Sequence, residues 1–140
     1  MIDWTQSMEQ TYEYYTVNPS TWRDEKPIKT IKNSTISRDS TVDTLGSATI
    51  KLTDLVGESY IRIYLLAFQN GLKTKIPLGT FLMQTPSSTF DGKIREASVD
   101  AYTPLLELNE NPPPLGYAIL KGENIMNNAK MIIREHARAP

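Results

Sequence analysis

In several runs before residue 103 the apolar positions recur with a period of two, and the pattern changes at Thr103-Pro104. The longest such run, Tyr60–Gln69, puts Ile61, Ile63, Leu65 and Ala67 on one face and Tyr60, Arg62, Tyr64, Leu66 and Phe68 on the other. Arg62 is its only charge, so both faces are expected to meet protein. Its β-branched and aromatic content fits a pleated, half-buried surface. Asn70-Gly71 is a turn signal, because both residues accept positive φ. A second arm follows with Ile76, Leu78, Thr80 and Leu82 on one side; Pro77 marks an edge or a kink, and Gly79 a bulge. A hairpin of this size is not stable alone in water, so neighbouring segments must complete its sheet.

Those segments are legible. Ala48, Ile50 and Leu52 alternate with Thr49, Lys51 and Thr53, and Ala97, Val99 and Ala101 alternate with Glu96, Ser98 and Asp100. Residues 12–17 alternate as a short strand ended by Asn18-Pro19-Ser20. Asp24–Pro27 reads as a turn, and any strand over 28–36 is interrupted near Asn33-Ser34, because Ile28 and Ile36 differ in parity from Ile31. Residues 86–92 read as a loop with an Asp-Gly turn. Thr103-Pro104 opens one or two helical turns carrying Leu105, Leu106 and Leu108. The three prolines at 112–114 make a stiff connector. Residues 117–122 are a short strand or extended segment. From Asn124 a 3.6-residue period places Ile125, Ala129, Ile132 or Ile133, and His136 or Ala137 on one helical face. The pattern predicts a mainly β fold with a flanking helix (α+β), whose core holds Ile50, Leu52, Ile61, Ile63, Leu65, Leu82 and Val99. It divides into an aromatic arm (1–22), a β domain (23–102), and a helix, proline connector and start of a following region (103–140). The apolar stripe running to the last residues reads as the N-terminal part of a longer protein.

Composition narrows the function more than the fold. In 140 residues, 15 Lys and Arg oppose 16 Asp and Glu, which gives no basic stripe for nucleic acid. Lys29 and Lys32 are read as a solvated strand edge opposed by Asp24, Glu25 and Asp39. There is no cysteine, which excludes disulfides, zinc–thiolate sites and cysteine nucleophiles. No apolar run approaches the ~20 residues of a bilayer span, and the N-terminus lacks a signal-peptide pattern, so the chain reads as soluble and made in the cytoplasm. His136 is the only histidine. It sits near the end of a helix, and no Gly-x-Ser-x-Gly elbow, phosphate loop, dinucleotide fingerprint or calcium loop accompanies it. The expectation is a non-enzyme with no cofactor and no metal. The residues left for function are the aromatics and Arg62: Trp4, Tyr12, Tyr14, Tyr15, Trp22, Tyr60, Arg62, Tyr64 and Phe68, candidates for a protein interface or, alternatively, for a sugar-binding platform built on Tyr12, Tyr14, Tyr15 and Trp22.

The order of short motifs carries a resemblance. Trp22 with its charged turn, Ser37-Arg38-Asp39 and Ala48–Leu52 precede Tyr60–Tyr64; Pro77–Phe81, Ala101–Leu106, Gly116-Tyr117 and Gly122–Ile125 follow. Over residues 20–138 this resembles the N-terminal domain of phage tail hub (baseplate hub, tail-tip) proteins. The resemblance implies a β-barrel-like, tail-tube-related domain and a structural role at the junction of tail tube and tail tip, within a virion assembled in the host bacterial cytoplasm. It also implies a homotrimeric ring around the channel, with partners among the tail tube, distal tail, tape measure or spike proteins. The balanced charge and the lack of an apolar span, read apart from the resemblance, leave no expectation of nucleic-acid sequence recognition or of a membrane partner. The alternative from another class is a carbohydrate- or receptor-binding module of a phage tail.

Overall fold

In a computed structural model, residues 2–53, 57–84, 87–90, 92 and 95–138 are described. The chain forms β1 (Glu9–Val17), β2 (Asp24–Pro27), β3 (Ile31–Ser37), β4 (Ser47–Leu52), β5 (Tyr60–Gln69), β6 (Leu72–Met83), β7 (Ser87–Phe90) and β8 (Arg95–Tyr102). The helices α1 (Leu105–Glu110) and α2 (Ile125–His136) follow. All pairings are antiparallel, in the order β2-β1-β5-β6-β8-β4-β3, with β7 on β8. The fold is therefore mainly β with short flanking helices. The sheet is open: among the described residues no ladder joins β2 to β3. It nevertheless curls, because Tyr14 of β1 and Ser34 of β3 share a hydroxyl hydrogen bond of 2.7 Å.

The central hairpin forms as its sequence predicts. Asn70 (φ 51°) and Gly71 (φ 74°) both take positive φ in a two-residue turn, which matches the right-handed twist of β5 and β6. Ile50, Leu52, Ile61, Ile63 and Val99 are buried in one cluster with Ala48, Phe81, Met83, Ala97 and Ala101. Leu65 is buried but lies outside that cluster. The expectation fails at Leu82, which is half-buried, while Phe81 and Met83 take its place. The cause is a bulge. Ile63 faces Gly79 but Tyr64 faces Pro77, so Leu78 is an extra residue and every side chain beyond it changes face. Ile76 and Phe81 thus share a face despite opposite parity. The same device acts in β3, where Ile31 faces Leu52 but Asn33 faces Lys51. An extra residue at Lys32 lets Ile31 and Ile36 both pack on the core.

Further readings are corrected. Asp24–Pro27 is a strand, since the chain after the Asn18 turn returns antiparallel to β1, and Pro27 is tolerated there because β2 is an edge. Ser87–Phe90 is a strand because the β6 chain resumes pairing with β8 after a break. Of the two readings of residues 117–122, the strand does not form: 117–120 carry no regular structure, between turns that run from Pro114 to Tyr117 and from Leu120 to Glu123. Nor does Thr103 cap α1. Its hydroxyl donates to the Thr44 carbonyl, and no side chain caps that helix. Asn124 does cap α2, accepting from the N–H groups of Met126 and Asn127. No residue of α2 is buried, so this helix flanks the sheet without contributing to the core.

Candidate functional site

The outer face of β1, β5 and β6 collects most of the candidate residues. Alternation puts Arg62 and Tyr64 opposite the core face of β5, and register sets Arg62 beside Tyr15 and Tyr64 beside Glu13. The turn after β1 then carries Trp22 over them. That turn is tied by the Asn18 side chain, which accepts from the N–H groups of Ser20 and Thr21, and by Trp22 N–H donating to the Asn18 carbonyl at 2.8 Å. Trp22 has φ 56°, a conformation that costs a bulky residue about 1–3 kcal/mol.

Arg62 organises the face. Its Nε donates to Thr80 Oγ1 (2.9 Å), Nη1 to Asp24 Oδ1 (2.8 Å) and Nη2 to the Trp22 carbonyl (3.1 Å). Its guanidinium carbon lies 5.9 Å from the centre of the Trp22 ring. Asp24 completes its own bonding by accepting from the Tyr64 hydroxyl at 2.7 Å. Partial burial, then that bond to Asp24, pushes the Tyr64 phenol above its ordinary pKa. The Lys75 ammonium sits 3.9 Å from the Tyr64 ring centre and 4.4 Å from that of Tyr15, and reaches Glu13 at 3.0 Å. The hydrogen bond from Lys75 holds the Glu13 carboxyl below its usual value. Desolvation alone would lower the Lys75 pKa, but Glu13 and the two tyrosines outweigh it. Tyr15 and Tyr64 meet edge to face at 5.9 Å, Trp22 and Tyr60 at 5.0 Å. Arg62 is paired with Asp24, and Lys73 and Lys75 share Glu13.

The nine candidates are thus divided. Tyr15, Trp22, Arg62 and Tyr64 are brought together, and Phe68 lies further along the same face with Lys73 5.5 Å from its ring. Tyr60 is buried. Tyr14 turns inward to pack on the core. Trp4 and Tyr12 are exposed and stand apart, Trp4 on the segment that Asp3 ties to Gln69. Asp24, Glu13, Lys75 and Thr80 were not singled out as site residues by the sequence; the first three signal only by charge and Thr80 only by a hydroxyl, and only strand register places them here. The charge pairing expected for the lysine-rich edge is also different. Asp24 serves Arg62, Lys32 pairs with Glu96, and Asp39 accepts from the N–H and hydroxyl of Thr41.

A second feature is an open cleft of about 980 Å³ where the ends of β1, β5 and β6 meet α1 and α2. Glu107, Glu110, Glu135, His136 and Tyr60 are among its lining residues. The Tyr60 hydroxyl donates to Glu107. Burial, then this bond, drives the Tyr60 phenol far above its ordinary range. His136 is the last residue of α2, the helix-end position its sequence context predicts, and its Nδ1 is shielded with no hydrogen-bond partner among the described residues. Among the described residues no cluster of His, Asp or Glu has the geometry to hold a metal ion, and no helix is long and apolar enough to cross a membrane. Comparisons with protein-family models, with curated proteins and with solved structures return no match.

Proposed function

We propose that this protein is a structural component of a phage tail, the hub at the junction of tube and tail tip, forming a trimeric ring around the channel. The reading starts from the ordered motifs over residues 20–138 and is compatible with a curled but open antiparallel sheet. The observation that carries it furthest is a long free edge. Among the described residues, 72–81 of β6 pair with β5 on one side only, and β8 takes up β6 only at Leu82 and Met83. An unpaired edge of that length is a template for a strand from a neighbouring subunit. Subunits related by a closed rotation can join such edges into a ring. Lys73 and Lys75 on the same strand discourage indiscriminate pairing, and the Arg38 guanidinium donating to the Leu78 carbonyl satisfies one edge group.

The sugar-platform alternative is less well supported. Carbohydrate stacking needs open aromatic faces. Tyr14 is turned inward, Tyr15 and Tyr64 lie edge to face under Lys75, and Trp22 is engaged with Tyr60 and Arg62. Only Trp4 and Tyr12 of the candidate set are more than 45% exposed. A lytic role is not proposed either, and His136→Ala is expected to leave assembly intact. The test is light scattering on the purified protein together with a reconstruction of virions that carry it. A ring with the 72–81 edge at the subunit contact is expected. A monomeric peripheral knob with glycan on Trp4 or Tyr12 would overturn the proposal.

A further inference from the structure

The chain beyond Ala101 is attached to the sheet differently from everything before it. No described residue from Tyr102 to Arg138 is buried. Leu115, Leu120, Ile125 and Met126 are each more than 60% exposed. Apolar burial, the main cohesive term of the sheet, is therefore only partial in this segment, where Leu105, Leu106, Leu108, Ala129, Ile132 and Ile133 are half-buried. Its attachment is polar and converges on one carboxylate. Glu107 of α1 accepts from the Tyr60 hydroxyl of β5, and its Oε2 accepts from the Arg138 N–H, just past α2, at 2.7 Å. Asn111 Nδ2 adds a bond to the His136 carbonyl at 3.2 Å. Both α2 tethers act on its C-terminal end. The hydrogen bonds that Asn128 makes at the other end, with Tyr117, Glu123 and Asn124, are internal to the segment. The connector offers pivots, with Gly116 (φ 89°) and Gly122 (φ 95°) on either side of an exposed stretch after the three prolines.

We propose that residues 112–138 form a detachable strap, latched over the cleft by Glu107 and Asn111, which swings off as a unit while the sheet stays folded. Local opening is cheapest where few apolar contacts are lost, and that condition separates this segment from β4 and β5. Undocking frees the half-buried stripe of Ala129, Ile132 and Ile133 and uncovers the cleft floor around Tyr60. It also lets the shielded His136 Nδ1 reach solvent. A helix of this length is marginal in isolation, so undocked α2 loses protection along its length. The strap does not depend on the tail-hub reading; it rests on the tethers and on the absence of fully buried residues.

Hydrogen exchange on the full chain tests it. In the wild type, amides of α2 are expected to exchange faster than those of β4 and β5 by a factor of ten or more, roughly the cost of one charge-assisted hydrogen bond. Glu107→Gln, which keeps one carbonyl acceptor and loses the charge, is expected to raise α2 exchange about tenfold again with β4 and β5 unchanged. Tyr60→Phe should loosen α1 and α2 together, and Glu135→Gln, on the same helix, should do nothing. Tryptic cleavage at Lys130 and Arg134 should follow the same ranking. Protection of α2 equal to that of β5 would overturn the strap. So would an unchanged α2 in Glu107→Gln, or a loss of protection in that variant spread through the sheet.

Discussion

Phe81→Ala and Leu82→Ala, adjacent on β6, test the bulge that decides which residues of that strand are inside. Phe81 is 2% exposed among Ile61, Ile63 and Met83, so truncation removes its transfer free energy and leaves a cavity in a packed cluster. Comparable changes cost about 3–5 kcal/mol. Leu82 faces the other way and is half-buried. Full burial of a leucine contributes about 1.5–3 kcal/mol, so its loss here should cost about 1 kcal/mol. Gly79 adds a third arm. A Cβ built there lies 3.0 Å from two atoms of the Phe81 ring, which is itself buried in the core cluster. Gly79→Ala is expected to cost about 1–3 kcal/mol by overpacking. Urea melts followed by far-UV circular dichroism measure all three, provided the slopes agree. If Leu82→Ala is as destabilising as Phe81→Ala, strict alternation through residue 78 is correct and the bulge is wrong.

Two other predictions follow from the outer face and the cleft. Arg62→Ala should destabilise by about 1–3 kcal/mol, since Asp24 loses its cation and the strained Trp22 turn loses a donor. Arg62→Lys should recover little, because an ammonium cannot serve Thr80, Asp24 and the Trp22 carbonyl from one plane. Trp22 emission should shift to the red in both, and an unshifted spectrum in Arg62→Ala would show that the turn holds without it. The alkaline limb of stability should depend on Tyr60. Its folded pKa is raised, so between the unfolded value of about 10 and the higher folded value the native state binds more protons than the unfolded chain. The contribution is full below pH 10 and lost as pH rises above it. Tyr60 should be the last of the seven tyrosines to ionise in an ultraviolet titration, and Tyr60→Phe should flatten this limb; an unchanged pH profile would refute the assignment.

The sequence by itself determined what alternation and turn chemistry determine. Ala48–Leu52, Tyr60–Gln69 and residues 97–101 announce strands because one face must avoid water and the side-chain period is two, and Asn70-Gly71 announces its turn because few residue pairs accept two positive φ angles. The 3.6-residue stripe of α2 was equally plain. Which partner each strand takes, and where a strand carries an extra residue, depends on ladders between segments far apart in the chain. That is why the inward residues beyond Leu78 and the strand nature of Asp24–Pro27 and Ser87–Phe90 came only from the fold. The outer-face network depends on it most. Asp24, Arg62 and Thr80 are 38 and 18 residues apart, and nothing local to Asp24 distinguishes it from Glu25 beside it. Only the antiparallel return of β2 along β1, one strand from β5, brings its carboxylate within reach of the guanidinium.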